Sequence, residues 1–200
     1  MKTNVRVLTL VLFFSTLARG AEDLKSKFQM DLTKAEGQVE FLALAMPGEL
    51  KIRGAARSAS VDGPLFDGRI EGSCQASDCK LSGKIGFHLD YLKTGVVPRD
   101  RQMKKTYLST GQFPRAVIEL KDISASANGS AFEAALTLHG KTKTVKGEAR
   151  LEKKIGEVSV ALDFKLLLSD FDIATPTLLA VTVEPEISVM AFAHGPAEAR

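Results

Sequence analysis

Alternation with a period of two restricts this chain more than any other feature. In 81–89 (LSGKIGFHL), Leu81, Gly83, Ile85, Phe87 and Leu89 fall on one face, and Ser82, Lys84 and His88 on the other. The pattern returns in 115–123, where Ala116, Ile118 and Leu120 oppose Arg115, Glu119 and Lys121. Phe132, Ala134, Leu136 and Leu138 share a face, and Val145, Gly147, Ala149 and Leu151 alternate with Lys146, Glu148 and Arg150. From Val158 to Leu168 the apolar set is Val160, Leu162, Phe164 and Leu166. Successive side chains of a strand point to opposite faces, so each segment reads as a strand with one side in a core and one in water.

The connections suit antiparallel neighbours. Asn128-Gly129, His139-Gly140-Lys141 and the 154–157 turn with Gly156 separate consecutive strands. Segments 39–46, 50–59 and 65–71 read as less regular strands. A last one at 179–192 is interrupted by Pro185, which implies an edge or a bulge. Between 99 and 110 the period becomes helical, with Met103, Tyr107 and Leu108 on one face, and a second short helix is expected near 172–179. About eight strands joined by short turns leave a sandwich or an up-and-down barrel, and the run of hairpins from Leu81 favours the barrel, because closure removes exposed edges. The fold class is therefore all-β, an antiparallel eight-stranded barrel with one or two short helices.

The N-terminus reads as a secretory leader over residues 1–20, with Lys2 and Arg6 before a short apolar run and small residues, Ala18 and Gly20, before a cut at Ala21. That run has about twelve residues, where a bilayer needs about 20. A single domain is expected over 21–193, followed by a flexible tail at 194–200. Of the 27 basic residues, Lys2, Arg6 and Arg19 belong to the leader, which leaves 24 against 24 acidic ones. A neutral domain lacks the field that draws a protein to nucleic acid, and the basic run 99–105 reads as a solvated face. The chain is expected to be soluble in the periplasm or secreted. There an adjacent pair such as Cys74 and Cys79 favours a disulfide over free thiols or a metal or redox role.

Catalytic signatures are missing. No G-x-S-x-G elbow, H-E-x-x-H helix, P-loop or glycine-rich dinucleotide turn occurs. Three histidines are present: His88 falls on a polar face, His139 at a hairpin tip and His194 in the expected tail. No metal site, cofactor or catalytic residue is expected; a hydrolase or isomerase would require His139 and Asp170 to meet in a cleft. A barrel of this size either fills its interior with side chains or leaves room for one ligand. Phe87, Phe132, Phe164, Leu136 and Leu166 suit both outcomes, while Gly83, Ala134, Gly147 and Ala149 reduce the volume that can plug the interior.

Three ordered segments carry a resemblance. In FHLDYLKTGVVPRDRQMKKTYLSTGQFPRAVIEL, the residues Thr94, Gly95, Arg99, Asp100, Met103, Phe113 and Pro114 fall where the YceI-like family has a Thr-Gly turn, an Arg-Asp pair, a helix and a Phe-Pro. LTLHGKTKTV (136–145) resembles the family's hairpin, and LLLSDFDIATPTLLAVTV resembles its closing segment, with Ser169, Asp170, Ile173 and Pro176 in place. The early half departs from the family: only Gly37 to Phe41 keeps the end of its opening strand, and the Cys74–Cys79 loop replaces a plain hairpin turn. The resemblance implies an extended, lipocalin-like barrel, partly closed by the helix after Arg99. It also implies a tunnel for a long apolar lipid such as a polyisoprenoid or isoprenoid quinone. By position, Phe87, Leu89, Met103, Tyr107, Phe113, Ile118, Leu136 and Phe164 would line it.

The expected function is thus non-catalytic binding, storage or transport of such a lipid. The alternative is a packed barrel acting as a cell-envelope interaction or stress-related module. A homodimer of barrels is compatible with either.

Overall fold

A computed structural model of the chain describes residues 26–47, 50–75, 78–178 and 181–200. The expected leader lies outside them. Eleven strands follow in order: β1 (Ser26–Asp31), β2 (Glu36–Met46), β3 (Leu50–Arg57), β4 (Phe66–Gln75), β5 (Asp78–His88), β6 (Arg115–Ser126), β7 (Ser130–Leu138), β8 (Lys141–Lys154), β9 (Glu157–Leu167), β10 (Thr177–Leu178) and β11 (Val181–Ala199).

Ten of them form one ring-like sheet in the order β1-β4-β5-β6-β7-β8-β9-β11-β2-β3, with β10 paired to β11 alone. The end of β11 returns to β1, with Phe28 opposite Ala199 and Met30 opposite Ala197, so eight strands close on themselves. After a 3₁₀ turn at Leu32–Lys34 the chain continues as β2, which follows β11 from Glu36 opposite His194 to Met46 opposite Thr182. β3 lies outside β2 and reaches the next wall through a bridge between Ala55 and Lys93. Among the described residues, all strand pairs are antiparallel except one bridge, Ser126 to Arg150. The expected all-β antiparallel barrel is therefore present, widened at one end by β2 and β3.

Two bulges keep apolar residues inside. In β6, Lys121 and Asp122 both face water where β5 supplies only Ser82 between paired residues. Asp122 takes a left-handed φ of 53°, and its N–H donates to Ser82 Oγ at 3.0 Å. The extra residue returns Ile123 and Ala125 to the core. In β11 the register with β2 shifts between Val183 and Ile187, which puts Pro185 in a bulge, as its place in the sequence implied.

Two sequence expectations are corrected, and one strand was not foreseen. β1 was not anticipated as a strand. The second helix expected at 172–179 does not form over its described residues: a 3₁₀ turn at Leu168–Phe171 ends at Asp172, whose φ of 54° is left-handed, and β10 follows. Nor is 194–200 a free tail. His194, Gly195 and Pro196 pair with Ser159, Val158 and Glu157 of β9, and 197–199 pair with β1, so ring closure holds the terminus.

The interior has two halves. Where β1 closes the ring, Phe28, Met30, Ile70, Leu81, Leu120 and Val158 are fully buried and form a plug. The Phe28 ring lies over Gly72, where a Cβ would come within 2.1 Å of it. Cys74 and Cys79 face each other in the β4–β5 register and are joined by a disulfide at this end. Toward the other end, the strands separate around empty space. Among the described residues, no helix is long and apolar enough to cross a membrane.

Candidate functional site

The hollow half encloses a cavity of about 680 Å³, within the range typical of ligand pockets. Its walls are the inward alternating positions of the strands: Ile85 and Phe87 from β5, Ile118 from β6, Leu136 from β7, and Leu162 and Phe164 from β9. β2 and β11 complete the circuit with Phe41, Val189 and Ala191. Phe41 leans across Gly54 of β3, where any Cβ would lie 2.2 Å from its ring. The missing side chain at Gly54 thus sets how far that ring stands from the middle of the cavity.

A short helix and a turn cover the open end. α1 (Val97–Gln102) runs into a π-helical turn, Met103–Tyr107, closed by the Leu108 N–H donating to Met103 O at 2.8 Å. Gln102, Met103 and Tyr107 face the cavity. Thr94 anchors the cover: its N–H and hydroxyl donate to Asp100 Oδ1 at 2.7 and 2.5 Å, while Arg99 Nε donates to its Oγ1 at 2.8 Å. Arg99 Nη2 donates to the Thr94 carbonyl at 3.1 Å. Gly95, at φ 80°, allows the sharp exit from this anchor. Lys104 Nζ donates to Asp90 O at 2.5 Å, which fastens the far side. Polar residues of the wall gather at this cover, as Thr94, Arg99, Gln102 and Tyr107, and β10 adds Thr177.

Seven of the eight residues expected from the sequence lie on this wall: Phe87, Leu89, Met103, Tyr107, Ile118, Leu136 and Phe164. Phe113 does not. Its N–H is held in a turn by Ser109 O at 2.9 Å, and its ring packs edge-on to His139 with centroids 4.7 Å apart. Gly140 leaves the space for it, since a Cβ there would meet the Phe113 ring at 2.7 Å. The β2 and β11 contributions, among them Phe41, Ile187 and Val189, were not singled out from the sequence, although 39–43 and 187–191 do alternate.

The histidines stand apart. His139 Nδ1 bonds the Phe171 carbonyl at 3.0 Å, and neither His139 nor Asp170 reaches the cavity wall. His88 lies 3.4 Å from an Asp67 carboxylate oxygen and against the Tyr91 ring. His194 contacts Ser159 Oγ at 3.0 Å. Among the described residues, no group of three or more His, Cys, Asp or Glu could hold a metal. Beside His139, the hydrogen bond from Lys141 at 2.8 Å holds the Asp172 carboxyl below its usual range, helped by the charges of Lys141, His139 and Lys143.

Residues 34–193 match the YceI-like domain. The chain belongs to the YceI-like family. Among solved structures, this YceI-like chain is similar to BcnA of Burkholderia cenocepacia, with a TM-score of 0.60 and 16% identity over 82% of this chain and 98% of that one. It is also similar to a polyisoprenoid-binding domain from Saccharophagus degradans, with a TM-score of 0.55 and 12% identity over 86% of this chain and 98% of that one. At these identities the likeness establishes the fold. No curated protein matches the chain in sequence.

Proposed function

We propose that this YceI-like protein is a non-catalytic, exported carrier or store for one long apolar lipid, an isoprenoid or isoprenoid quinone, held in the hollow half of the barrel. The cavity carries this reading: about 680 Å³ of space behind walls built almost entirely from aliphatic and phenylalanine side chains. Such walls reward buried apolar area, at roughly 25 cal/mol per Å², and offer an extended hydrocarbon few competing polar contacts. The polyisoprenoid-binding domain that shares this fold supports the ligand class. The leader-like start and the Cys74–Cys79 disulfide support export.

Polarity concentrated at the cover supports an orientation. A chain would enter tail first, and its head group would stop beside Arg99, Gln102 and Tyr107, which line the cavity on the covering helix and turn. A packed interaction module would need a filled interior, and the size of the cavity weighs against it.

A ligand-length series tests the proposal. Lipid-free protein titrated with isoprenoid alcohols of increasing length should bind each successive one more tightly until the chain fills the interior, then level off. Affinity independent of length would contradict the carrier reading.

A further inference from the structure

Exposed apolar residues are distributed unevenly over this molecule. Of the six large hydrophobic residues exposed among the described ones, four flank the open end of the cavity: Met46, Leu50, Val96 and Val97, at 48%, 52%, 46% and 69% exposure. They come from two separate hairpin and loop segments, so local sequence bias does not explain their meeting. Leu50 and Val96 also line the cavity, which makes the exposed surface continuous with the apolar interior.

Unpaired cations border this rim on the side of α1. Arg101 and Lys105 are exposed, and their side chains have no hydrogen bond or ion pair among the described residues; the same holds for the side chain of Lys51, next to Leu50. From 99 to 105 there are four basic residues and one acidic, and that acid, Asp100, is occupied by Thr94. Across the opening the acidic groups are partly matched: Asp172 pairs with Lys141 and Glu186 with Lys165, while the side chains of Asp170 and Glu184 have no partner among the described residues. The basic side is therefore the α1 side.

We propose that the α1 end of the barrel is a docking surface for an anionic lipid bilayer, with Val96, Val97 and Leu50 entering the head-group region and Arg101, Lys105 and Lys51 meeting lipid phosphates. Small apolar side chains ringed by cations are the combination that holds a peripheral protein at such a surface, and neither element is sufficient alone. The inference rests on the carrier reading for its purpose: docking there lets a lipid pass between bilayer and cavity without crossing water. The surface itself is defined without that reading.

The test is flotation of the exported protein with vesicles of phosphatidylethanolamine containing about 30 mol% phosphatidylglycerol, with phosphatidylcholine vesicles as the comparison. Wild type should float with the anionic vesicles only, and should be released as salt rises from about 0.05 to about 0.5 M. Replacing Arg101 and Lys105 together with Gln should lower partitioning about 25-fold, at about five-fold per charge. Val97→Asp should lower it at least about ten-fold. None of these three residues lines the cavity, so bound lipid, read by mass, should be unchanged in both variants. Wild type that ignores anionic vesicles, or variants that float as wild type does, would overturn the docking surface. Wild type that floats yet never carries lipid would support docking and overturn the carrier reading.

Discussion

The division of the barrel into a plugged and a hollow half makes one substitution behave differently at two equally buried leucines. Leu81 is 0% exposed and Leu136 is 5% exposed, so burial alone does not separate them. Their neighbours do: Leu81 is enclosed in the plug, whereas Leu136 presents one side to the cavity. Truncating an enclosed leucine to alanine costs about 2–5 kcal/mol, the upper part of that range applying where the surroundings cannot collapse. A side chain facing a void already lacks partner atoms on that side and has fewer contacts to lose. In lipid-free protein, Leu81→Ala should therefore cost about 4 kcal/mol and Leu136→Ala about 2 kcal/mol. For a domain of this size the Tm should fall by about 8–16 °C and about 4–8 °C, respectively. Filling the cavity restores the missing neighbours, so in lipid-loaded protein the cost of Leu136→Ala should rise toward that of Leu81→Ala, which itself stays constant. Urea melts of both variants, with and without lipid, read all four values. Equal losses in the lipid-free protein would refute the reasoning.

Three further expectations follow from particular contacts. Gly54→Ala should push the Phe41 ring inward from its present place and shorten the longest isoprenoid that binds, as measured in the length series, because a Cβ there overlaps the ring. Replacing both Cys74 and Cys79 with serine should lower stability by about 2 kcal/mol, the chain-entropy value for so short a loop, and leave lipid loading intact, since the bridge lies at the plugged end. Asp172→Asn isolates the Lys141 ion pair, since asparagine tolerates the left-handed φ of 54°. The Asp172 carboxyl has a lowered pKa, so its contribution is present above the ordinary carboxylate value of 3.8 and disappears as pH falls through the lowered one. The raised pKa of Lys141 keeps the lysine charged at every pH below its ordinary 10.5, so only the carboxyl titrates out of the pair in acid. Urea midpoints should therefore separate wild type from Asp172→Asn at pH 7 and converge in strong acid.

The strands with strict alternation were legible because one face of each meets a single interior. Phe132 to Leu138 and Val158 to Leu166 appear on the inner face as read. β1 was harder to see: Phe28 and Met30 are only two inward residues in a short polar segment, and their burial depends on a partner strand at the other end of the chain. The terminus is the same problem from the other side, because Gly195 and Pro196 suit a frayed end until ring closure engages them. Phe113 was placed on the wall by its position in the family's Phe-Pro motif, while the space over Gly140 that receives its ring exists only in three dimensions. The Thr94–Arg99–Asp100 anchor was visible as a motif, but its hydrogen bonds were not. Whether the interior was filled or hollow could not be read from alternation, since the same pattern serves the plug and the cavity.

Native mass spectrometry of the purified protein, followed by organic extraction of whatever it carries, tests the central claim most directly. The account predicts one stoichiometric adduct with the mass of an isoprenoid or isoprenoid quinone, lost when Leu136 is replaced by aspartate in the cavity wall. Protein that stays free of adduct, even after incubation with isoprenoids long enough to fill the cavity, would contradict it.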